Sequence, residues 1–219
     1  MSAVAVVEGL TGCDESVQFP LMSTAERVAA APLREFIAVG ELPGPRRAVE
    51  CALSRLAADG QVVRVRKGLY WKGPKTRFGM ASPRSAAVAL EVAGPGSGPA
   101  ESSAAYLLGM TTQVPSVAVV AVPGRAPASV PGTRFVTRSI ERRFAGLRPI
   151  EVAVLEVLRG GPVLLEKPWR ELPSTVARLV SVGEVRLDVM AAAVSEEHHV
   201  MTRKRWSELA AALDAGLVS

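Results

Sequence analysis

The 219-residue sequence predicts an α+β fold in two domains, a small basic domain followed by a larger, helix-rich one. Three observations lead to this prediction. Apolar residues make up 48% of the chain, which is ample material for a core. Short alternating patterns typical of strands are mixed with a majority of helical patterns. A polar, basic stretch broken by Pro and Gly at residues 73–82 indicates a connector between the two regions.

The start of the chain shows little periodicity, and we expect residues 1–21 to form a flexible leader. Met22 stands directly before the segment Ser23–Glu26, a capping box that predicts the beginning of a helix. A misassigned start codon, with Met22 as the true beginning, would explain the same pattern. The first helix is expected to run from Thr24 to about Ala31.

Two short elements and a longer helix follow. Arg34–Ile37 is a candidate strand or helix entry, and a short helix is expected around Ala38–Leu42. The third helix is predicted between Pro45, which suits a first turn, and Gly60, which suits a C-terminal cap.

The third helix has two distinct faces. Val49, Leu53 and Leu56 recur at spacings of four and three, so this face is predicted to pack inward. A polar set points the opposite way. Its members are Arg47, Cys51 and Ser54.

A tight hairpin is predicted after the third helix. Its strands are Val62–Arg66 and Leu69–Trp71, joined by a turn at Lys67-Gly68. Strict alternation would place Arg64 and Arg66 on one side of the first strand. The element order of residues 22–80 therefore predicts a winged helix-turn-helix domain, with this hairpin as the wing.

The second domain, residues 81–219, is predicted to be α+β with helices dominating. A buried strand is expected at Val117–Val122 and a partly exposed one at Thr133–Ser139. Helical patterns occupy most of the remainder. They are Ser82–Gly94, Ser102–Leu108, Pro149–Leu158, Ser174–Ser181, Val185–Val194 and Thr202–Ala215.

The distribution of charge indicates a partner for the first domain. Between Asp59 and Glu91 there are seven Lys and Arg residues and no acidic residue, which exceeds the net charge of +5 of the whole chain. Although charge runs are usually solvated faces, seven cations without one interspersed acid favour contact with duplex DNA.

The predicted DNA contacts fall on the third helix, the wing and the connector. Arg47 is expected to donate to a guanine edge, Ser54 to a base or a phosphate, and Arg46 to a phosphate. The other cations would follow the DNA backbone or the adjacent minor groove. They are Arg64, Arg66, Lys67, Lys72, Lys75 and Arg77.

A second basic group is a candidate patch in the larger domain. It could lengthen a DNA footprint or bind an acidic patch on a protein partner, and a plain exposed surface is the alternative. Its members are Arg134, Arg138, Arg142 and Arg143.

Several residues have two interpretations. Glu50 could accept from a cytosine amine, although pairing with Arg46 or Arg47 is favoured. Tyr70 and Trp71 could stack on bases, but anchoring of the wing is favoured.

Two further segments could bind a ligand. Gly94–Pro99 could be a phosphate loop, but its prolines remove donors and favour a turn. Glu196–His199 could hold a metal, but its adjacent histidines lack a spaced ligand pair, which favours a solvated or capping role.

The sequence argues against several classes of protein. Because no catalytic motif rises above chance, we expect no enzyme activity, no cofactor and no metal. No stretch approaches the ~18 apolar residues of a membrane span, so a cytoplasmic protein is expected, with Cys13 and Cys51 as reduced thiols.

The segment A-L-S-R-L-A-A-D-G-Q-V-V-R-V-R-K-G-L-Y-W at Ala52–Trp71 resembles the N-terminal winged helix of the AbiEi family. These are antitoxins of abortive-infection toxin–antitoxin pairs and their actinobacterial relatives. The likeness extends more loosely through Lys72–Met80 and Tyr106–Pro115, to about Leu158. It implies an N-terminal domain that represses its own operon and a C-terminal domain that opposes a nucleotidyltransferase-type toxin.

Two other functions remain open at this point. One is a stand-alone winged-helix regulator whose C-terminal domain dimerises or senses a ligand. The other is an enzyme with a DNA-binding appendage, which would need a polar constellation in the C-terminal domain.

Overall fold

The computed structural model describes residues 22–217, and the predicted flexible leader, residues 1–21, lies outside them. The chain divides into two compact units, one ending at Ser82 and the other beginning at Pro83. We call them the N-terminal unit and the C-terminal unit. Helices and strands occur in both, so the chain is α+β.

Within residues 22–82, the N-terminal unit contains two α-helices and a three-stranded antiparallel sheet. Ser23 and Glu26 form the capping box that begins the first helix. The sheet has the strand order β1-β3-β2. The elements are α1 (Thr24–Ala30), β1 (Glu35–Ala38), α2 (Arg46–Ala58), β2 (Val63–Arg66) and β3 (Leu69–Lys72).

The short helix predicted at Ala38–Leu42 is reduced to a single 3-10 turn, Val39–Glu41. Ala38 belongs to β1, and Pro43 follows at once, so too few residues remain to form a helical nucleus. A short helix is therefore present where the sequence predicted one, in the 3-10 form and three residues long.

The core of the N-terminal unit forms between α1, α2 and the sheet. Val49, Leu53 and Leu56 are buried on α2, which confirms the predicted inward face. Val28 of α1 and Tyr70 of β3 complete the same apolar cluster. The opposite face of α2 is thereby left exposed.

A bulge in β2 changes the predicted orientation of its arginines. Arg64 pairs with Tyr70, but Arg66 pairs with Leu69, so Val65 is an extra residue in the ladder. Paired residues share one face of a sheet, and successive residues alternate between faces. Arg64 and Arg66 therefore lie on opposite faces, contrary to the prediction from strict alternation.

The predicted connector at residues 73–82 contains a second small hairpin, formed by β4 (Lys75–Thr76) and β5 (Gly79–Met80). The indole nitrogen of Trp71 donates to the carbonyl oxygen of Ala81 at 2.9 Å, which attaches this hairpin to β3. Pro and Gly predicted a connector here, and the structure adds this two-residue ladder to it.

From Pro83 to Leu217, the C-terminal unit contains six α-helices and a three-stranded sheet of order β6-β7-β8. Strands β7 and β8 are parallel, and β6 is antiparallel to β7. The helices are α3 (Ser85–Ala93), α4 (Glu101–Leu107), α5 (Pro149–Gly160), α6 (Leu172–Ser181), α7 (Leu187–Ser195) and α8 (Val200–Leu217). The strands are β6 (Gly98–Pro99), β7 (Ala118–Pro123) and β8 (Thr133–Arg138).

Helix α5 lies at the centre of the C-terminal unit. Every residue from Glu151 to Leu158 is buried, including the carboxylates of Glu151 and Glu156. Buried carboxylates are stable only when they are paired. Arg186 pairs with Glu151, and both Arg138 and Arg142 pair with Glu156.

Between Met22 and Leu217, no helix combines the length and the apolar character that crossing a membrane requires.

Candidate nucleic-acid interface

The first turn of α2 presents an uncapped, positively charged helix end. Pro45 precedes it and supplies no side-chain cap, and the turn contains Arg46 and Arg47 without an acidic residue. Cations at a helix N-terminus oppose the macrodipole by about 0.3–1 kcal/mol each. An anion placed there would be stabilised both by the free amide groups and by the two guanidinium groups.

The two arginines of this turn differ in their partners. The Nε of Arg46 donates to Glu50 Oε1 at 3.0 Å, which confirms the predicted pairing of Glu50 within the helix. Arg47 is exposed and has no hydrogen bond or ion pair with any residue from 22 to 217. Its guanidinium is therefore available to a ligand.

A cleft of about 210 Å³ lies between the exposed face of α2 and the β2–β3 hairpin. Helix α2 contributes Glu50 and Ser54 to its walls, and the hairpin contributes Arg64 and Lys67. Arg64 reaches this side because it shares a face with Tyr70, which packs against α2. The structure thus brings three of the predicted DNA contacts together. We call this feature the hairpin cleft.

Arg66 lies apart from the hairpin cleft. It pairs with Leu69 on the other face of the sheet, where it is half-buried. Gly68 has a φ of +77°, a left-handed conformation that glycine adopts without steric cost, and it allows the tight reversal that exposes Lys67.

Lys72 has an internal role that the sequence did not reveal. Its ammonium group donates to the carbonyl oxygens of Val28, Ala29 and Ala31 at 2.8, 2.8 and 2.5 Å. These groups belong to the C-terminal end of α1, where a cation also interacts favourably with the helix dipole. Because all three donors of its ammonium group are used, Lys72 is a helix cap, which corrects its assignment to DNA contact.

The β4–β5 hairpin presents Lys75, Arg77 and an aromatic residue that sequence reasoning missed. Phe78 is 85% exposed at the turn, and the guanidinium of Arg77 lies 4.6 Å from its ring centroid. The sequence K-T-R-F-G contains a signal for it, since an apolar residue follows two cations directly before a glycine. It was overlooked because the segment was interpreted as a linker.

Tyr70 and Trp71 have the anchoring role that the sequence favoured. Tyr70 is buried in the core beside α2, and Trp71 packs on Phe36 with ring centroids 4.7 Å apart. Neither ring is exposed for stacking on bases.

The predicted second basic patch is corrected by the structure, because three of its four arginines are paired. Arg134 bonds to Glu101, and Arg138 donates to both oxygens of Glu156 at 2.8 and 2.6 Å. Arg142 is only 3% exposed and pairs with Glu156 and Glu197. Arg143 remains exposed and donates to the carbonyl oxygen of Pro123 at 3.3 Å.

Arg142 joins two acidic residues inside the C-terminal unit. It bonds to Glu156 at 2.6 Å and to Glu197. Burial raises the pKa of Glu156, but the bonds from Arg138 and the charge of Arg142 outweigh burial, and the pKa lies below its ordinary value. The partners are 14 and 55 residues from Arg142 in sequence, so local charge counting could not find them.

The Glu196–His199 segment has a structural role. Nδ1 of His199 accepts a hydrogen bond from the amide of Thr202 at the start of α8, and Glu197 is the buried partner of Arg142. No group of three potential ligands suited to a metal occurs within residues 22–217.

The Gly94–Pro99 segment is packed into the C-terminal unit. Ser97 caps the carbonyl of Gly94, and Gly98–Pro99 pairs with β7 as strand β6. A turn, as the sequence favoured, is therefore present here.

No protein-family model and no curated protein matches the chain. Among solved structures, the chain is similar to the RV2827C protein from Mycobacterium tuberculosis, with 16% sequence identity and a TM-score of 0.41. The match covers 88% of this chain and 75% of that chain. A likeness this weak indicates neither a fold nor a function for the chain.

Proposed function

We propose that the chain binds duplex DNA through its N-terminal unit, which acts as a winged helix. In this proposal α2 enters the major groove and the β2–β3 hairpin is the wing. The order of helix, strand, turn, helix and two-stranded hairpin supports the assignment. The 13 residues of α2 span about 20 Å, which is long enough to follow the groove.

The observation that carries the proposal is the hairpin cleft, where Arg64 and Lys67 stand beside the exposed face of α2. Neither cation has a partner within the described residues. Between Met22 and Ser82 there are eleven Lys and Arg residues and five acidic ones, so the unit carries the excess positive charge that phosphate binding requires. On a surface that serves only solubility, positive and negative side chains would be interspersed.

The proposed contacts are of two kinds: contacts to phosphates, which position the protein on the DNA, and contacts to bases, which read its sequence. Arg46 and the free amides of the first turn of α2 would meet a phosphate, and Arg64 and Lys67 would hold the DNA backbone beside the groove. Arg47 is unpaired on the outer face of α2, where it would donate to a guanine. Ser54 is on the same face, two turns further along.

The biological role that we propose is that of an antitoxin which represses its own operon. This part depends on the resemblance of Ala52–Trp71 to the AbiEi family. The C-terminal unit would then oppose a nucleotidyltransferase-type toxin, and the exposed apolar side chains Phe144 and Val163 are available to a protein partner.

Salt dependence tests the DNA proposal directly. The double variant Arg64→Ala, Lys67→Ala should bind every duplex more weakly, and the slope of log affinity against log salt should decrease by about 1.8, about 0.9 for each lost phosphate contact. Fluorescence anisotropy over a series of salt concentrations measures this slope.

A matched control removes two exposed cations from the C-terminal unit, by Arg203→Ala and Lys204→Ala. It should leave the slope unchanged. An undiminished slope in the Arg64, Lys67 variant, or an equal loss in the control, would show that the hairpin cleft does not hold DNA.

A second candidate is a stand-alone regulator whose C-terminal unit senses a ligand. A cleft of about 580 Å³ in that unit favours it. The neighbouring gene separates the two candidates, because a nucleotidyltransferase encoded there would support the antitoxin. Co-expression of this chain with the product of that gene, scored by growth, is the functional test.

A further inference from the structure

A cleft in the C-terminal unit lies where β8 ends, beside the end of α5 and the segment that leads into α8. Its volume of about 580 Å³ falls within the range of small-molecule sites, about 300–1,000 Å³. The side chains that characterise it are Arg138, Ser139, Arg159, Glu197, His198 and His199.

The ionic network at this cleft has more positive than negative charge. Arg138 is bidentate on Glu156, and Arg142 bridges Glu156 and Glu197, so each carboxylate already has a close partner. The Nη1 of Arg159 is 3.7 Å from Glu197 Oε2, which is too far for a hydrogen bond. Three guanidinium groups therefore share two carboxylates.

Donor groups at the cleft lack acceptors. The buried hydroxyl of Ser139 has no hydrogen-bond partner within the described residues, and neither has Nη2 of the neighbouring Arg142. The guanidinium of Arg159, 33% exposed, forms no hydrogen bond to any residue in the range 22–217. Few buried polar groups in a native protein are left unpaired, so the two buried atoms show that donors exceed acceptors beside the cleft. The guanidinium of Arg159 is the accessible donor of this set.

His199 adds a donor of known orientation. Its Nδ1 accepts from the amide of Thr202 at 3.3 Å and lies 2.9 Å from the hydroxyl oxygen of the same residue. With Nδ1 as the acceptor, the neutral ring carries its proton on Nε2. Burial and the charge of Arg159 hold the pKa of His199 below its ordinary value. Burial and repulsion from Arg138 likewise lower the pKa of Arg159. Burial is the larger cause of both shifts, and repulsion between the neighbouring positive groups adds to it. A bound anion would relieve that repulsion.

We propose that this cleft binds the phosphate group of a small phosphorylated molecule of nucleotide size. The planar guanidinium of Arg159 matches two phosphate oxygens, and Nε2 of His199 supplies a further donor. Two donors from Arg159 and one from His199 suit the three free oxygens of a phosphate better than the two of a carboxylate. The cleft is larger than one phosphate, which leaves room for the remainder of the molecule. Neither DNA binding nor antitoxin activity is needed for this inference.

Calorimetry on the full chain at constant ionic strength tests the proposal, with inorganic phosphate, AMP and adenosine as probes. AMP should bind, inorganic phosphate should bind more weakly, and adenosine should not bind. Arg159→Gln should weaken AMP binding about tenfold or more, since a hydrogen bond to a charged group is lost. Arg178→Gln, at an exposed position on α6, should bind AMP as the native chain does.

Two further measurements locate the site, and neither depends on whether the Arg159→Gln variant folds. The Arg64→Ala, Lys67→Ala variant should keep full AMP affinity, because it alters only the N-terminal unit. In the native chain, AMP should shift the NMR amide signals of residues 137–139 and 197–202.

Four results would overturn the proposal. They are absence of AMP binding, equal binding of adenosine, undiminished binding by folded Arg159→Gln, and signal changes confined to residues 22–82. Displacement of AMP by a short DNA duplex would assign the cleft to nucleic acid and overturn the small-molecule assignment.

Discussion

Lys72 and Lys75 stand three residues apart, but their ammonium groups have different surroundings. Lys72 is enclosed by the carbonyl oxygens at the end of α1, whereas Lys75 is exposed on β4. In sequence they are equivalent members of one basic run. The packing of α1 against the sheet makes Lys72 a structural cation, whereas Lys75 remains available to a ligand.

Replacing Lys72 by Met should lower the free energy of unfolding of the N-terminal unit by about 1–3 kcal/mol, because the carbonyls of α1 lose a charged donor. The salt slope of DNA binding should stay unchanged. Urea denaturation and anisotropy measure the two quantities.

Lys75→Met is the matched control, and it should show the opposite pattern, with native stability and a slope reduced by about 0.9. If Lys72→Met kept full stability and reduced the slope instead, the capping role would be excluded.

At the scale of elements, the sequence predicted helices better than strands. Helix α2 was predicted well because Val49, Leu53 and Leu56 repeat with the helical period and Gly60 marks its end. The bulge at Val65 was not predicted, because a period of two assumes an uninterrupted ladder. One extra residue therefore moved Arg66 to the other face and out of the hairpin cleft.

The pairs around α5 mark the limit of sequence reasoning about a site. Arg138 and Arg142 looked like an exposed patch because Glu156 and Glu197 are remote in sequence. Local patterns define the faces of an element but not which elements meet. The same limit concealed the cleft at Arg159, whose lining residues come from three separate segments of the chain.

The β4–β5 hairpin is the element whose contribution to DNA binding can be tested separately. In the proposed complex, Phe78 would insert as an apolar wedge in the minor groove while Arg77 meets a phosphate. Phe78→Ala should weaken DNA binding by about 1.5–3 kcal/mol, the value of burying one large apolar side chain. Because Phe78 is neutral, the salt slope should not change.

Leu33→Ala is the matched control, since Leu33 is another exposed apolar residue of the N-terminal unit. It should leave DNA affinity unaltered. Equal affinities of native protein and Phe78→Ala would remove this hairpin from the interface.

At the scale of the whole molecule, the two units use arginine in opposite ways. The N-terminal unit has unpaired cations on its surface, among them Arg47 and Arg64. The C-terminal unit has fifteen basic and thirteen acidic residues from Pro83 onward, and several of these form ion pairs around α5. The buried polar side chains of the described chain all lie in this second unit.

This difference predicts that acid unfolds the C-terminal unit first. The pKa of Glu151 and that of Glu156 lie below the ordinary value because, although burial raises them, bonds from Arg186 and Arg138 outweigh it. The unfolded chain then binds protons more readily than the folded one as the pH falls through about 4.3. The ion pairs therefore stabilise the unit above that pH, and the stabilisation disappears as the pH falls through the folded pKa values.

Urea denaturation between pH 7 and pH 2, followed by NMR signals from each unit, measures this dependence. Glu156→Gln should lower the free energy of unfolding of the C-terminal unit by about 3–5 kcal/mol at pH 7, since it leaves two arginines short of a partner. It should also flatten the pH dependence of that unit, because one of the carboxylates that titrate is gone. Glu208→Gln, exposed on α8, should change neither quantity. If the N-terminal unit unfolded first in acid, the buried carboxylates would not be the groups that set acid stability.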